Sequence, residues 1–427
     1  GGVREIDLQR VVWGGEGQAS PYAVDPDLPV LYMRIKRPAN AVQPPEDLGA
    51  WLEPTAEVLP WPLSPRVHTA IVGLAKPGAP RIGDAVLPWL AASLSAPYRL
   101  RDVISRLMPE AQVGALMPRL ALAAELAKEL GSEMAQLAMG DTFHMSLVPA
   151  YYSAMTESDL VEVIARVQSR RFAQAIEPTT KRMSYVGSRL VLTDAAAQRW
   201  STRLRDAARH DARTSADPIT AWRAHRDYLA AALVCATGHR PEGALGRIRL
   251  SDVIPEYGLI VLQDKQVDAL RATRIAATGR LWLSELRRYL DRLLEIVRES
   301  ADSPAGKLAD AIVRGEEPLF SIPEADGSTA TMTAATLRAS MPPEFEGVAN
   351  FYRHRLNQGL QRHGVDPELR HAQLGWIAGT AHAHADLSPR APIDLGESLG
   401  PTIDELLVAD DWWPKSARKT RWTWEGI

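Results

Sequence analysis

Cysteine is almost missing from this sequence of 427 residues, and the single one, Cys235, lies in an apolar stretch. That excludes a disulfide framework or a cysteine-based metal site within one chain, and a reducing, cytoplasmic setting is expected. Long apolar runs are missing too. None approaches the roughly 18 to 20 residues that a membrane span needs, and no signal peptide opens the chain. No repeat of solenoid length is visible. The opening Gly-Gly-Val carries no methionine and is set aside as a trimmed start or a tag remnant. What remains is ordinary for a globular chain, with 46% hydrophobic and 24% charged residues, and the length suits two or three domains.

The net charge of −3 does not suggest a nucleic-acid partner, but the charge is unevenly spread. Residues 1–60 hold nine acids against five bases, whereas residues 164–214 hold eleven bases against four acids. An excess of seven positive charges suits a surface or linker that tracks phosphates. A solvated helix face explains it equally well.

Residues 1–95 are proline-rich with short apolar runs, and read as an accessory module of short strands and turns with one helix near 46–52. From about 97 the pattern becomes helical. "PRLALAAELAKELG" starts at Pro118 and stops at Gly131, and "TESDLVEVIARVQSRRF" has Thr156 or Ser158 as its cap. Asp217–Pro218 opens another helix ending at Thr237–Gly238. A tight turn then displays Arg240, followed by a return strand and segments that alternate like a small antiparallel sheet. A long amphipathic helix ("LWLSELRRYLDRLLEIVRES") comes next, then a loop of about 25 residues and a short helix near 330–340. "NFYRHRLNQGLQRHG" is a helix ended by Gly364, and Asp366–Pro367 opens a short one. The expected class is mainly α with a small antiparallel β-sheet, in segments 1–95, 96–214, 215–400 and a tail from 401 to 427.

The order of motifs between about 215 and 390 resembles the catalytic domain of the tyrosine recombinases, the phage-integrase family. "ATGHRP" supplies Arg240, "IVLQDKQV" supplies Lys265 on a hairpin, the "NFYRHRLNQG" helix supplies Arg353, and "AQLGW" supplies Trp376. The resemblance implies that Arg240 and Arg353 clamp the non-bridging oxygens of a DNA phosphodiester, where forked guanidiniums oppose developing negative charge. It makes Lys265 the general acid at the leaving oxygen. Trp376 takes the histidine-or-tryptophan position of the family. The alternative is that each arginine pairs with a local acid at a helix end and that Lys265 is an ordinary surface lysine.

Three positions depart from the family pattern. The helix histidine is replaced by Asn350, which can bond a phosphate but cannot shuttle a proton near neutral pH. The acid usually found three residues after the first arginine is replaced by Gly243, with Glu242 one place earlier. The nucleophilic tyrosine is missing as well. The family places it eight or nine residues beyond Trp376, where this chain has His384 and Ala385, and its last tyrosine is Tyr352. Three accounts of that absence remain: a natural member that keeps the fold but cannot cleave, a deliberate replacement, or attack by His384 or His382.

The same resemblance implies duplex DNA as partner, gripped by a helical domain over about 97–190 and by a basic linker. Arg199, Arg203, Arg205, Arg209 and Arg213 are the expected DNA-contacting residues. It also implies homo-oligomers on DNA, docked through the tail, where Trp412, Trp413, Trp422 and Trp424 alternate with Lys415, Arg418, Lys419 and Arg421. Packing of those tryptophans on their own domain is the alternative. No cofactor, metal or membrane is expected. The function expected from the sequence is DNA binding in recombination or mobile-element regulation, with strand cleavage impaired. The alternative is a working recombinase whose tyrosine has been replaced.

Overall fold

The computed structural model describes residues 10–35, 44, 46–73, 81–86, 117–140, 152–214, 217–240, 245–263, 273–342, 350–376 and 392–413. Helices dominate, and the sheets are small and mostly antiparallel. The chain divides into two compact units, one of residues 1–43 and 54–189, the other of residues 44–53 and 190–427. These divisions lie elsewhere than those read from composition at 95, 214 and 400.

In the first unit, β1 (Val11–Trp13), β2 (Tyr22–Val24), β3 (Val30–Arg34) and β4 (Val58–Pro62) form one sheet in sequence order. The β1–β2 pair is parallel and the others are antiparallel. Pro60 and Pro62 are tolerated because β4 is an edge strand, where a missing N–H breaks no inner ladder. Then come α1 (Pro65–Gly73), α2 (Met117–Leu130), α3 (Ser132–Ala138), β5 (Ala154–Thr156), α4 (Glu157–Phe172) and β6 (Tyr185–Gly187). The Thr156 hydroxyl accepts from the Asp159 N–H at 3.1 Å, so Thr156 caps α4. Leu160, Val161, Ile164 and Val167 recur at helical spacing and are fully buried in the core shared with β4 and α2. Two of the arginines in the basic stretch, Arg166 and Arg170, are ion-paired with Glu129 of α2.

The second unit begins with a 3-10 turn at Glu46–Trp51, then α5 (Asp194–Thr214) and α6 (Pro218–Thr237). A three-stranded antiparallel sheet follows, made of β7 (Val253–Ile254), β8 (Leu259–Gln263) and β9 (Thr273–Ala277). Next are α7 (Arg280–Ser300), α8 (Pro304–Val313), the hairpin β10 (Ser321–Pro323) and β11 (Thr329–Thr331), and α9 (Ala334–Ser340). The last elements are α10 (Phe351–Arg362), α11 (Pro367–Leu374) and α12 (Pro392–Ala409). Helix α6 is the axis of this unit: residues 229–234 are all at 0% exposure, with α5, α7, α10 and α12 packed around it. Its aromatic neighbours keep their polar ends satisfied. The Trp222 indole donates to the Tyr289 hydroxyl at 2.8 Å, and the Trp282 indole to the Leu229 carbonyl at 3.1 Å.

The structure departs from the sequence expectation in several elements. The stretch after the arginine turn is not a return strand: residues 245–247 and 250–252 are 3-10 turns. The Asp252 carboxylate accepts from the Arg249 N–H at 2.8 Å, a local bond that competes with strand pairing. The expected 25-residue loop contains α8, capped by Ser303 through the Gly306 N–H, and the β10–β11 hairpin. Helix α12 runs straight through the expected boundary at 400. The helix with a cationic face expected in the basic segment "TDAAAQRWSTRLRDAARHDAR" is α5, but it is more than a linker, since its Trp200, Leu204 and Ala208 are core residues. No helix among the described residues is long and apolar enough to cross a membrane.

Candidate functional site

The C-terminal end of α6 is the meeting point of three segments far apart in sequence. Asp217 opens the helix, its carboxylate accepting from the N–H groups of Ile219 and Thr220, and Gly238 closes it in the left-handed region with φ of 62°. A larger residue at 238 would meet left-handed strain, and its Cβ would lie 2.5 Å from Leu374 Cδ2 and force that buried side chain to shift. The chain then turns through buried His239 to Arg240, which is half-buried.

Arg353, in the first turn of α10, reaches back to this turn. One amino group donates to the Gly238 carbonyl at 2.8 Å, and the other donates to the Leu374 carbonyl at the end of α11. The side chain is among the most deeply buried in the unit, at 1% exposure. Its guanidinium carbon is 5.7 Å from the centre of the Trp376 ring, within cation–π range. Trp376 is held at its backbone N–H, which donates to the His371 carbonyl at 2.9 Å. In this conformation Arg353 fixes the turn that presents Arg240.

Asn350 sits at the N-terminus of α10 in the left-handed region, φ 64°, which asparagine tolerates better than most residues. Its carboxamide oxygen accepts from the Tyr352 hydroxyl at 3.0 Å. Tyr352 is thus a buried bonding partner of Asn350. Neighbouring His354 is fully buried, and burial together with the adjacent Arg353 charge pushes its pKa down to about 3, so it stays neutral.

Two residues essential to this arrangement were not singled out from sequence. Arg274 on β9 donates to the Thr237 carbonyl at 3.2 Å and to the Gln373 carbonyl. The Gln373 carboxamide accepts from the Ala277 N–H at 2.9 Å and donates to the carbonyls of Ala236 and Ala277 at 3.0 and 2.8 Å. Together they stitch β9, α11 and the last turn of α6 with buried polar bonds. No local motif announces such long-range partners.

Lys265 and His384 lie outside the described residues, as does His382. Of the basic set on α5, Arg199 and Arg203 are exposed, and the Arg199 guanidinium stands 4.8 Å over the Trp51 ring. Arg205 turns inward: it bonds the Asp411 carboxylate at 2.9 Å and the Asp411 carbonyl at 2.5 Å, with its side chain only 12% exposed. Arg209 is exposed at the rim of a cleft, and Arg213 belongs to the last turn of α5, with its side chain outside the description. Trp412 and Trp413 are core residues, packed edge-on or tilted against Trp200 and Tyr228, whereas residues 414–427 are outside the described set. Among the described residues no group of three or more His, Cys, Asp or Glu could hold a metal. No family model and no curated protein matches this sequence.

Proposed function

We propose that the chain is a duplex DNA-binding protein of the tyrosine recombinase family, deficient in strand cleavage as this sequence stands, acting in recombination or in regulation of a mobile element. The observation that carries the reading is the bond from Arg353 to the Gly238 carbonyl. It joins two of the motifs on which the family resemblance rests, 115 residues apart, and Trp376 from a third stands beside the same guanidinium. A chance set of short motifs has no reason to converge on one helix end. In this reading Arg240 meets a phosphate, Arg353 holds the turn that aims it, and Arg199 and Arg203 follow the backbone from α5. Lys265 would stand by the leaving oxygen, and the lack of a tyrosine beyond Trp376 removes the nucleophile. The protein works as a homo-oligomer on DNA.

The test needs no knowledge of the target sequence. The protein is incubated with fragmented genomic DNA, one half of the sample is denatured in detergent, and protein-bound fragments are recovered from both. Fragments enriched only in the native half are the expected result. Fragments that survive detergent would mean a covalent adduct and a replacement nucleophile such as His384, and no enrichment in either half would overturn DNA binding.

A further inference from the structure

Helices α5, α6 and α7 enclose a cleft of about 300 Å³, on residues that play no part in the arginine turn. That volume is at the lower end of the range for small-molecule sites, about 300–1,000 Å³, and far too small for a duplex. Its lining includes a buried pair: His225 Nε2 stands 3.0 Å from the Glu285 carboxylate, both side chains about nine-tenths buried. Burial pushes the Glu285 carboxyl up, but the His225 bond and the Arg288 charge outweigh it and hold the group below the usual carboxylate range. Glu285 is therefore ionised and already engaged, with Arg288 on its second oxygen at 3.1 Å. Arg205 is likewise occupied by Asp411.

The remaining charges of the lining are of both signs. Among the described residues Arg209 of α5 makes no ion pair, and neither do Asp291 and Glu295, one turn apart on α7; Arg292, between them in sequence, also lines the cleft and donates to the Ala221 carbonyl at 3.5 Å. An occupant must therefore accept hydrogen bonds from a guanidinium and donate to carboxylates. A bare anion satisfies only the first demand, because it brings no donor for Asp291 and Glu295. A free amino acid carries both charges but fills little of the volume. A nucleotide meets both demands: its phosphate suits a guanidinium fork, and the N–H donors of a purine edge suit carboxylate acceptors. His225 and Tyr228 close the floor of the cleft and are themselves buried, so the base edge meets the carboxylates rather than stacking on a ring.

We propose that this cleft binds a purine nucleoside monophosphate, with Arg209 on the phosphate and Asp291 and Glu295 on the base edge. The site takes Arg209 from the arginines expected to contact DNA but uses none of Arg199, Arg203 and Arg240, so nucleotide binding is tested apart from the DNA reading.

The test is calorimetric titration of the full chain with GMP and with AMP, beside ribose 5-phosphate and guanosine. At least one monophosphate should saturate at one per chain and bind about tenfold or more tighter than ribose 5-phosphate or the free nucleoside. Arg209→Ala, and separately Asp291→Asn with Glu295→Gln, should each weaken it about tenfold. All three side chains are exposed, so these variants keep the fold, and Arg199→Ala with Arg203→Ala should leave nucleotide affinity unchanged. Absence of saturable binding by both monophosphates overturns the proposal. So does ribose 5-phosphate binding as tightly as they do, or unchanged affinity in the cleft variants.

Discussion

Arg353 donates a 2.8 Å hydrogen bond to the carbonyl of Gly238, so the second arginine of the sequence pattern holds the turn that carries the first. The two have different burdens. Arg353, 1% exposed and bonded to two carbonyls, is structural in this conformation, while half-buried Arg240 is the one within reach of a ligand.

Arg353→Ala should therefore act on the fold before it acts on binding. It leaves the Gly238 and Leu374 carbonyls without their charged donor and opens a void beside Trp376, an expected loss of about 3 kcal/mol. Arg240→Ala should cost less than about 1 kcal/mol. Urea unfolding followed by tryptophan fluorescence separates the two, and equal losses would contradict the division of labour.

Gly238→Ala combines left-handed strain with a Cβ placed 2.5 Å from Leu374 Cδ2. The expected destabilisation exceeds about 1 kcal/mol, and the turn should lose its register. Thermal unfolding gives the first quantity. Faster hydrogen exchange at the residue 238 amide, which in the wild type donates to the Val234 carbonyl at 2.9 Å, would report the second.

Gln373→Leu keeps the size of the side chain and removes three bonds to Ala236 and Ala277. Each buried backbone group left unpaired costs about 1–3 kcal/mol, so this change should be among the most damaging in the unit. Hydrogen exchange should quicken at the Ala277 amide, whose bond to Gln373 is lost, more than at amides in the middle of α6.

Asp404 on α12 accepts from the N–H groups of Arg280 and Leu281 and so caps α7. Burial raises its pKa to about 6 despite those bonds. A carboxyl whose folded pKa lies above its unfolded value of about 3.9 favours the folded state when protonated. Its contribution to stability therefore falls as pH rises from about 4 to 6 and stays low above that, a swing of up to about 3 kcal/mol. Asp404→Asn, which keeps an acceptor and cannot ionise, should lose that slope. Unfolding free energies of both proteins between pH 4 and 8 give the comparison, and parallel curves would refute the assignment.

Local signals in the sequence were enough for the elements that local chemistry builds. Thr156, the Asp217–Pro218 pair, Gly238 and the Asp366–Pro367 pair each mark a helix end by bonding or conformational freedom within a few residues. The same kind of signal, Ser303–Pro304, opens α8 inside a stretch read as loop. Helix α12 is masked for a different reason: Gly396, Gly400 and Pro401 look like breakers. Gly396 is there because an added Cβ would stand 2.0 Å from the Tyr257 carbonyl, a contact fixed only by the tertiary fold. Motif order singled out Arg240, Arg353 and Trp376, whose segments meet at the end of α6, but Arg274 and Gln373 bond partners about a hundred residues away and carry no local mark. Nor did charge counting separate Arg199 and Arg203, which face solvent, from Arg205, which is turned onto Asp411.

The most direct test of the central claim is the salt dependence of duplex binding, measured by fluorescence anisotropy on a mixed-sequence duplex. Wild-type affinity should fall linearly with salt on logarithmic axes, and Arg240→Ala should reduce the slope by about one, as loss of a single phosphate contact does. Arg199→Ala with Arg203→Ala should reduce it by about two. Binding that ignores salt, or variants that keep the wild-type slope, would contradict the account.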